Sequence, residues 1–123
     1  MKKILTKSLQ LQAQMRILHW QTMSYAEHNA FGNFYDAVDD LIDKLLETVQ
    51  GKYSRILLGG LDSIQISDYN NLKIQMFLAD MEIFYGTEIF TCGIDKQNDA
   101  EIDNIVQEIR AEIAKLKYLL TLK

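Results

Sequence analysis

Apolar residues recur at helical spacing along most of the chain. Between residues 24 and 50 they follow one another at intervals of three and four positions, which is typical of the buried face of an amphipathic helix. Residues 98–120 repeat this pattern, and residues 68–90 carry large apolar side chains at similar density. Residues 4–23 are also rich in helix formers, but their apolar positions cover more than half of the helix circumference. The pattern predicts four helices, the first buried both by its own bundle and by a neighbouring subunit.

Local signals at two places indicate where helices begin. Ser24 followed by Glu27 forms a capping box, in which the hydroxyl accepts the Glu27 amide and the carboxylate reaches back. This pair should start the second helix. Asn98 and Glu101 have the same spacing and should start the fourth helix.

The connection between the second and third helices is the longest stretch without helical periodicity. The dipeptide Gly59–Gly60 should end the second helix, and residues 59–67 then lead to the third. A connection of that length allows a crossover between helices that are not tightly hairpinned. We therefore expect an all-α fold in which residues 1–123 form a single four-helix bundle with a crossover between helices two and three.

The composition supports this fold and narrows the function classes. Proline is absent, which favours long uninterrupted helices. No apolar run approaches the roughly 20 residues that a membrane-spanning helix needs, so no membrane association is expected. The single cysteine, Cys92, excludes an internal disulfide and agrees with a reducing compartment such as the cytoplasm.

The charges are unevenly distributed along the chain. Residues 1–26 contain four basic and no acidic residues, whereas the remainder contains nine basic and seventeen acidic ones. The favoured interpretation is that a positive helix packs beside a negative one; the alternative is a DNA-binding arm. Because few phosphates can be neutralised, DNA binding is expected to be weak or absent.

The candidate chemistry lies at the junction of the first two helices and along the second. The only two histidines are His19 and His28, and Asp39, Asp43 and Glu47 form a strip beside the apolar stripe of the second helix. Asp43 and Glu47 are one turn apart, so both carboxylates can face a single cation. Two imidazoles and two carboxylates suit Fe(II), Mn(II) or Zn(II). The alternative is a solvated acidic face beside histidines that only pack.

These residues form a motif that resembles a known family. A His–Trp pair ends the first helix, a second histidine starts the next, and an Asp-x-x-x-Glu pair follows: His19–Trp20, His28, Asp43 and Glu47. This arrangement resembles the Dps proteins, the mini-ferritins or DNA-binding proteins from starved cells. The resemblance implies a ferritin-like bundle with a ferroxidase centre between subunits. His19 and His28 would come from one chain, and Asp43 and Glu47 from its partner.

The similarity covers residues 18–50, and it is even closer to short, uncharacterised ferritin-like proteins of bacteriophages. The interval between the two histidines is shorter than in the Dps pattern, and Gly32 stands on or near the place of a further acidic ligand. No lysine-rich tail is present.

Two hypotheses follow from this resemblance. In the first, the chain is a self-assembling Dps-like protein, at least a dimer, that binds iron and oxidises Fe(II) with peroxide or oxygen. In the second, it is a non-enzymatic phage structural or interaction protein on a ferritin-like bundle with a vestigial metal site. The expected location is the cytoplasm, that of the host if the protein is phage-encoded, with the virion left open.

Overall fold

The computed structural model describes residues 1–122, and within them every regular element is helical. The four α-helices are α1 (Lys2–Gln21), α2 (Tyr25–Lys52), α3 (Ile74–Gly86) and α4 (Ala100–Leu119). Two short 3-10 helices flank α3, at Tyr69–Asn71 and Glu88–Thr91. No β-strand occurs in this part of the chain. The predicted all-α class with four helices is confirmed; the last residue of the expected 1–123 domain lies outside the described residues.

The helices pack around one continuous apolar core. α1 packs on α2, α2 on α4, and α4 on α3. The buried side chains recur at three- and four-residue spacing, as the sequence pattern predicts. On α2 and α4, the two most regular helices, they are Ala30, Phe31, Phe34, Val38, Ile42, Leu45, Val49, Ile102, Ile105, Val106, Ile109, Ile113 and Leu116.

Polar contacts show that α1 and α3 run in opposite directions. In the core, the hydroxyls of Ser8 and Tyr85 form a buried hydrogen bond of 2.8 Å. One and a half turns earlier on α1, Lys3 lies 3.2 Å from Glu88, just after α3 ends. The start of α1 therefore lies beside the end of α3.

The connection between α2 and α3 runs along α1 instead of forming a tight hairpin. Lys2 in the first turn of α1 forms an ion pair of 2.9 Å with Asp62. Gln21, the last residue of α1, accepts the backbone N–H of Tyr69 at 2.7 Å. We call residues 61–69 the strap. The strap thus extends along the whole of α1 before α3 begins.

The second helix ends earlier than the sequence suggests. α2 stops at Lys52 and not at Gly59–Gly60. Tyr53 leaves the helical conformation, with φ −112° and ψ −89°, and its phenol donates to the buried carboxylate of Asp99. Lys52 also contacts Asp99, at 2.8 Å. The prediction was wrong because this anchor, distant in sequence, ends the helix before the glycines do.

The third helix is shorter than the predicted 68–90. The backbone of Asp68 instead begins the 3-10 helix, where its carbonyl accepts the N–H of Asn71 at 3.0 Å. The Asp68 carboxylate also accepts from Gln21 at 2.9 Å. The bonds of Gln21 to Asp68 and Tyr69 hold the end of the strap to α1, so the regular helix starts only at Ile74.

The predicted ends of the first and fourth helices shift by about two residues. α1 covers Lys2–Gln21 rather than 4–23. α4 begins at Ala100, and the predicted cap at Asn98 does not form. The Asn98 amide instead donates to the Asp95 carboxylate at 2.6 Å. None of the helices in residues 1–122 is both long and apolar enough to cross a membrane.

Candidate functional site

The turn between α1 and α2 is held by a relay of side-chain hydrogen bonds. Ser24 accepts the backbone N–H of Glu27 at 3.2 Å, as the capping box predicts. The Glu27 carboxylate accepts instead from the hydroxyl of Thr22 at 2.6 Å, and that hydroxyl accepts the N–H of Ser24 at 3.1 Å. Tyr69 of the strap donates to the same carboxylate at 2.8 Å, and this bond raises the Tyr69 pKa. The turn is therefore fixed from both helices and from the strap.

This turn brings the two histidines face to face. The rings of His19 and His28 are stacked, with centroids 3.8 Å apart and planes inclined by 17°. Each Nδ1 bonds the backbone carbonyl of the other residue, at 2.6 Å for His19 and 2.8 Å for His28. Because a carbonyl can only accept, each Nδ1 carries a proton. In the neutral rings the lone pairs then lie on Nε2, the form in which imidazole binds metals.

Gly32 is part of the histidine arrangement. A Cβ atom at this position would lie 2.9 Å from Cε1 of His19 and 3.1 Å from its Nδ1. The His19 ring therefore lies against the backbone of α2, at a place where any side chain would displace it. An acidic residue at position 32 would be incompatible with this stacked pair.

A row of polar contacts continues from the histidines along the α1–α2 interface. His19 makes an edge contact with Tyr35 at 5.3 Å, and the Arg16 guanidinium lies 4.5 Å above the same tyrosine ring. Arg16 also forms an ion pair with Asp39, which accepts from Gln12 at 3.0 Å. We call this row the histidine seam: Gln12, Arg16, His19, His28, Tyr35 and Asp39.

The seam changes the role of Asp39. The sequence pattern places it in one acidic strip with Asp43 and Glu47, without assigning it a metal. In the structure, both of its carboxylate oxygens are bonded to α1, one to Arg16 and the other to Gln12. Asp39 therefore fastens the two helices together.

The two predicted carboxylate ligands are exposed and lie far from the histidines of the same chain. Asp43 and Glu47 form no hydrogen bond or ion pair within residues 1–122. Asp43 is fifteen residues beyond His28, which is about 22 Å along a helix. No three His, Cys, Asp or Glu side chains of residues 1–122 come close enough to hold a metal ion. A site made from all four predicted ligands would require a second copy of the chain.

Two further acids share the exposed face of α2 with Asp43 and Glu47. Asp36 and Asp40 occur at the spacing that places all four carboxylates in a single row along the helix. All four side chains are exposed, and Lys44 is the one basic residue among them. The row is therefore a strongly negative strip next to the histidine seam.

Comparison with known proteins places the chain in a family. Neither the curated proteins nor the solved structures contain a match to it. A family model described as "Family of unknown function (DUF5856)" matches residues 19–120, from the first histidine of the seam to the end of α4. Because this match covers most of the chain, the protein belongs to the DUF5856 family of unknown function.

Proposed function

We propose that the protein binds Fe(II) between two copies of the chain and oxidises it there. The observation that carries this proposal is the pair of hydrogen bonds between the stacked histidines and the backbone. With Nδ1 of His19 and His28 both bonded to backbone carbonyls, the Nε2 lone pair of each neutral ring is free to bind a metal ion. The resemblance of residues 18–50 to the Dps proteins supports the same interpretation.

The carboxylates of this site would come from a second copy. Asp43 and Glu47 are exposed, one turn apart on α2, and free of partners within residues 1–122. Two α2 helices in antiparallel orientation, related by a twofold axis near the middle of the helix, bring this pair of one copy towards His28 of the other. The symmetry produces two equivalent sites, so the active form is at least a homodimer.

The residues of this site favour oxidation of bound iron. Carboxylates are hard, charged ligands and stabilise Fe(III) more than Fe(II), while the neutral imidazoles complete the coordination. Each Fe(II) gives up one electron. Hydrogen peroxide takes up two electrons and two protons and yields two water molecules; molecular oxygen is the other oxidant. Mn(II) and Zn(II) fit the same ligands and serve as probes.

The proposal is tested by metal-dependent stabilisation. Adding Fe(II) without oxygen, or Mn(II) or Zn(II), should raise the melting temperature. At a metal concentration 100 times the Kd, the free energy of unfolding should increase by about 2.7 kcal/mol. The Asp43→Asn, Glu47→Gln variant should lose this response and be at least as stable without metal, because charge repulsion is removed. The matched control is Asp36→Asn, Asp40→Asn, which neutralises the same row outside the ligand set and should keep the response.

Oxidation is then measured on the same samples. Addition of peroxide to the anaerobic Fe(II) complex should produce Fe(III) faster with the wild type than with the His28→Ala, Glu47→Ala variant. A melting temperature that does not respond to any of the three ions would contradict the proposal.

That negative outcome would favour the second candidate function. Gly32 supplies no carboxylate, and one copy of the chain assembles no three-ligand group within residues 1–122. These observations favour a non-enzymatic structural or interaction protein that retains the bundle and has a vestigial site. In either case we propose a cytoplasmic location, since the single cysteine is free.

DNA binding is not part of the proposed function. Four basic residues are concentrated in the first 26 positions, and all of them except Lys7 form ion pairs with acids of the same chain. These pairs are Lys2–Asp62, Lys3–Glu88 and Arg16–Asp39. Because these charges are already neutralised, we expect duplex DNA binding to be weak and to disappear at moderate salt.

A further inference from the structure

The strap is an extended chain with two different edges. Its contacts with Lys2 and Gln21 are nineteen residues apart on α1, about 28 Å of helix. Between Asp62 and Tyr69 the strap has seven residue steps, which reach at most about 25 Å when fully extended. The side chains of Lys2 and Gln21 cover the remainder, so the strap must be nearly extended. In an extended chain, the backbone N–H and C=O groups of alternate residues point to opposite edges.

One edge of the strap is bonded to glutamines of α1. Gln10 donates to the carbonyl of Gln65 at 3.0 Å. Gln14, which is buried, donates to the carbonyl of Ser67 at 2.9 Å and accepts the N–H of Ser67 at 2.8 Å. The glutamine amides therefore bond the backbone of residues 65 and 67 as a neighbouring strand would.

The opposite edge has no partner within residues 1–122. The backbone N–H and C=O groups of Ile64 and Ile66 form no hydrogen bond there. Both side chains are exposed, at 36% and 50%. An extended edge with free backbone groups and exposed β-branched residues is a template for pairing with another extended chain.

We propose that this edge pairs with the same edge of a second copy, forming a two-stranded antiparallel ribbon across the subunit interface. Ile64 of each copy lies opposite Ile66 of the other and exchanges both backbone hydrogen bonds with it. Gln65 lies on the twofold axis, opposite itself. The patch is thus self-complementary, as an isologous dimer requires.

Side-chain chemistry favours a second copy as the occupant of this edge. In this register, the isoleucines of both copies lie on one face of the ribbon and form a shared apolar cluster, a favourable cross-strand combination. No charged residue lies within residues 63–67. Asp62 and Asp68 face each other just beyond this stretch, so repulsion ends the ribbon there. Each is already bonded within its own chain, to Lys2 and Gln21.

This interface is separate from the proposed metal site and does not depend on it. Gln10 and Gln14 are on one side of α1, whereas Arg16 and His19 face α2 on the other. The strap ribbon should form in the presence of a chelator. A chain that uses both surfaces would assemble beyond a dimer.

Disulfide trapping tests the register directly. In a Cys92→Ser background, Gln65→Cys places two thiols on the twofold axis, where opposite Cα atoms lie about 4.5 Å apart, within disulfide range. Ser63→Cys is the matched control, because residue 63 faces residue 67 of the other copy. With EDTA and a mild oxidant, Gln65→Cys should give a covalent dimer at least tenfold faster than Ser63→Cys. Equal rates, or no dimer from either, would overturn the proposal.

A second variant tests the association itself without cross-linking. Ile66→Lys replaces an apolar residue of the ribbon with a charge and removes no bond within the chain. Sedimentation velocity in EDTA should show its dimerisation constant at least tenfold weaker than that of the wild type. Leu57→Lys is the control, since it is an exposed leucine outside the ribbon and should leave association unchanged. An Ile66→Lys variant that keeps its helical content and dimerises like the wild type would exclude the ribbon.

Discussion

The two sides of α1 carry similar polar residues but stabilise different kinds of partner. On one side, Gln12 and Arg16 face α2, whose backbone groups are largely bonded within the helix. Gln12 and Arg16 therefore bond mainly to side chains of α2. On the other side, Gln10 and Gln14 contact residues 65 and 67 of the strap, whose backbone groups form no backbone–backbone hydrogen bond within residues 1–122. For these four residues, the conformation of the facing segment determines whether the side chain bonds to side chains or to the backbone.

The largest difference in stability between the two sides of α1 is expected when Gln14 and Gln12 are each replaced by alanine. Gln14→Ala removes both amide bonds to Ser67 and leaves a backbone N–H and C=O without partners, which should cost about 2 kcal/mol of unfolding free energy. Gln12→Ala removes one bond to the half-buried Asp39, which keeps Arg16, and should cost less than about 1 kcal/mol. Urea denaturation measures both. Equal losses of unfolding free energy would contradict the proposed difference between the two sides of α1.

Two glycine substitutions in α2 test how tightly the His19 ring packs against this helix. Gly32→Ala should lower stability by about 1 kcal/mol, because overpacking against His19 exceeds the gain in helix propensity. Gly51→Ala lies in the same helix with open space around it and should raise stability by about 0.5–1 kcal/mol. Thermal unfolding of both variants tests this difference in sign. A stabilising Gly32→Ala would mean that the His19 ring moves freely.

The smallest expected effect is a pH dependence of the stability that Asp99 provides, where α2 ends and the connection to the strap begins. Hydrogen bonds from Lys52, and then from Tyr53, lower the pKa of Asp99. The native state therefore binds fewer protons than the unfolded chain. The stability that the ionised Asp99 contributes is present above the unfolded pKa of about 3.9 and is lost as pH falls through the folded pKa.

Asp99→Asn should therefore lower the melting temperature at pH 7, and its difference from the wild type should shrink as the pH falls towards 3. Tyr53→Phe removes one of the two donors and should show part of this effect. A difference in melting temperature that is constant over this pH range would mean that the charge of Asp99 does not contribute to stability.

Much of the fold could be predicted because its signals are local. The periodicity of α2 and the Ser24 cap depend on residues within a few positions of one another, and both occur where expected. The end of α2 could not be predicted, since Tyr53 is held by Asp99, forty-six residues away. The late start of α3 has a similar cause, because Gln21 binds Asp68 across forty-seven residues.

For the candidate site, the sequence indicated the residues but not their geometry. His19 and His28 were the obvious candidates, yet nothing in the sequence showed that each ring bonds the backbone of the other. Gln10, Gln14 and Gln21 belong to the helix-forming segment 4–23, and no site was predicted from them. Their spacing of four and seven residues was a signal for a common face of α1, and an extended partner was needed to give that face a role.

The buried hydroxyl pair of Ser8 and Tyr85 has a consequence for how this family can change in length. Sliding α3 along α1 would leave two hydroxyls buried without partners, so this pair fixes the alignment of the two helices independently of the strap. The strap itself is fixed to α1 by its glutamines. Insertions and deletions before the strap can then be absorbed at the exposed Gly59–Gly60, where the backbone has positive φ values of 76° and 127°. Among family members, length differences between α2 and the strap should concentrate there, while the strap keeps its length from Asp62 to Tyr69.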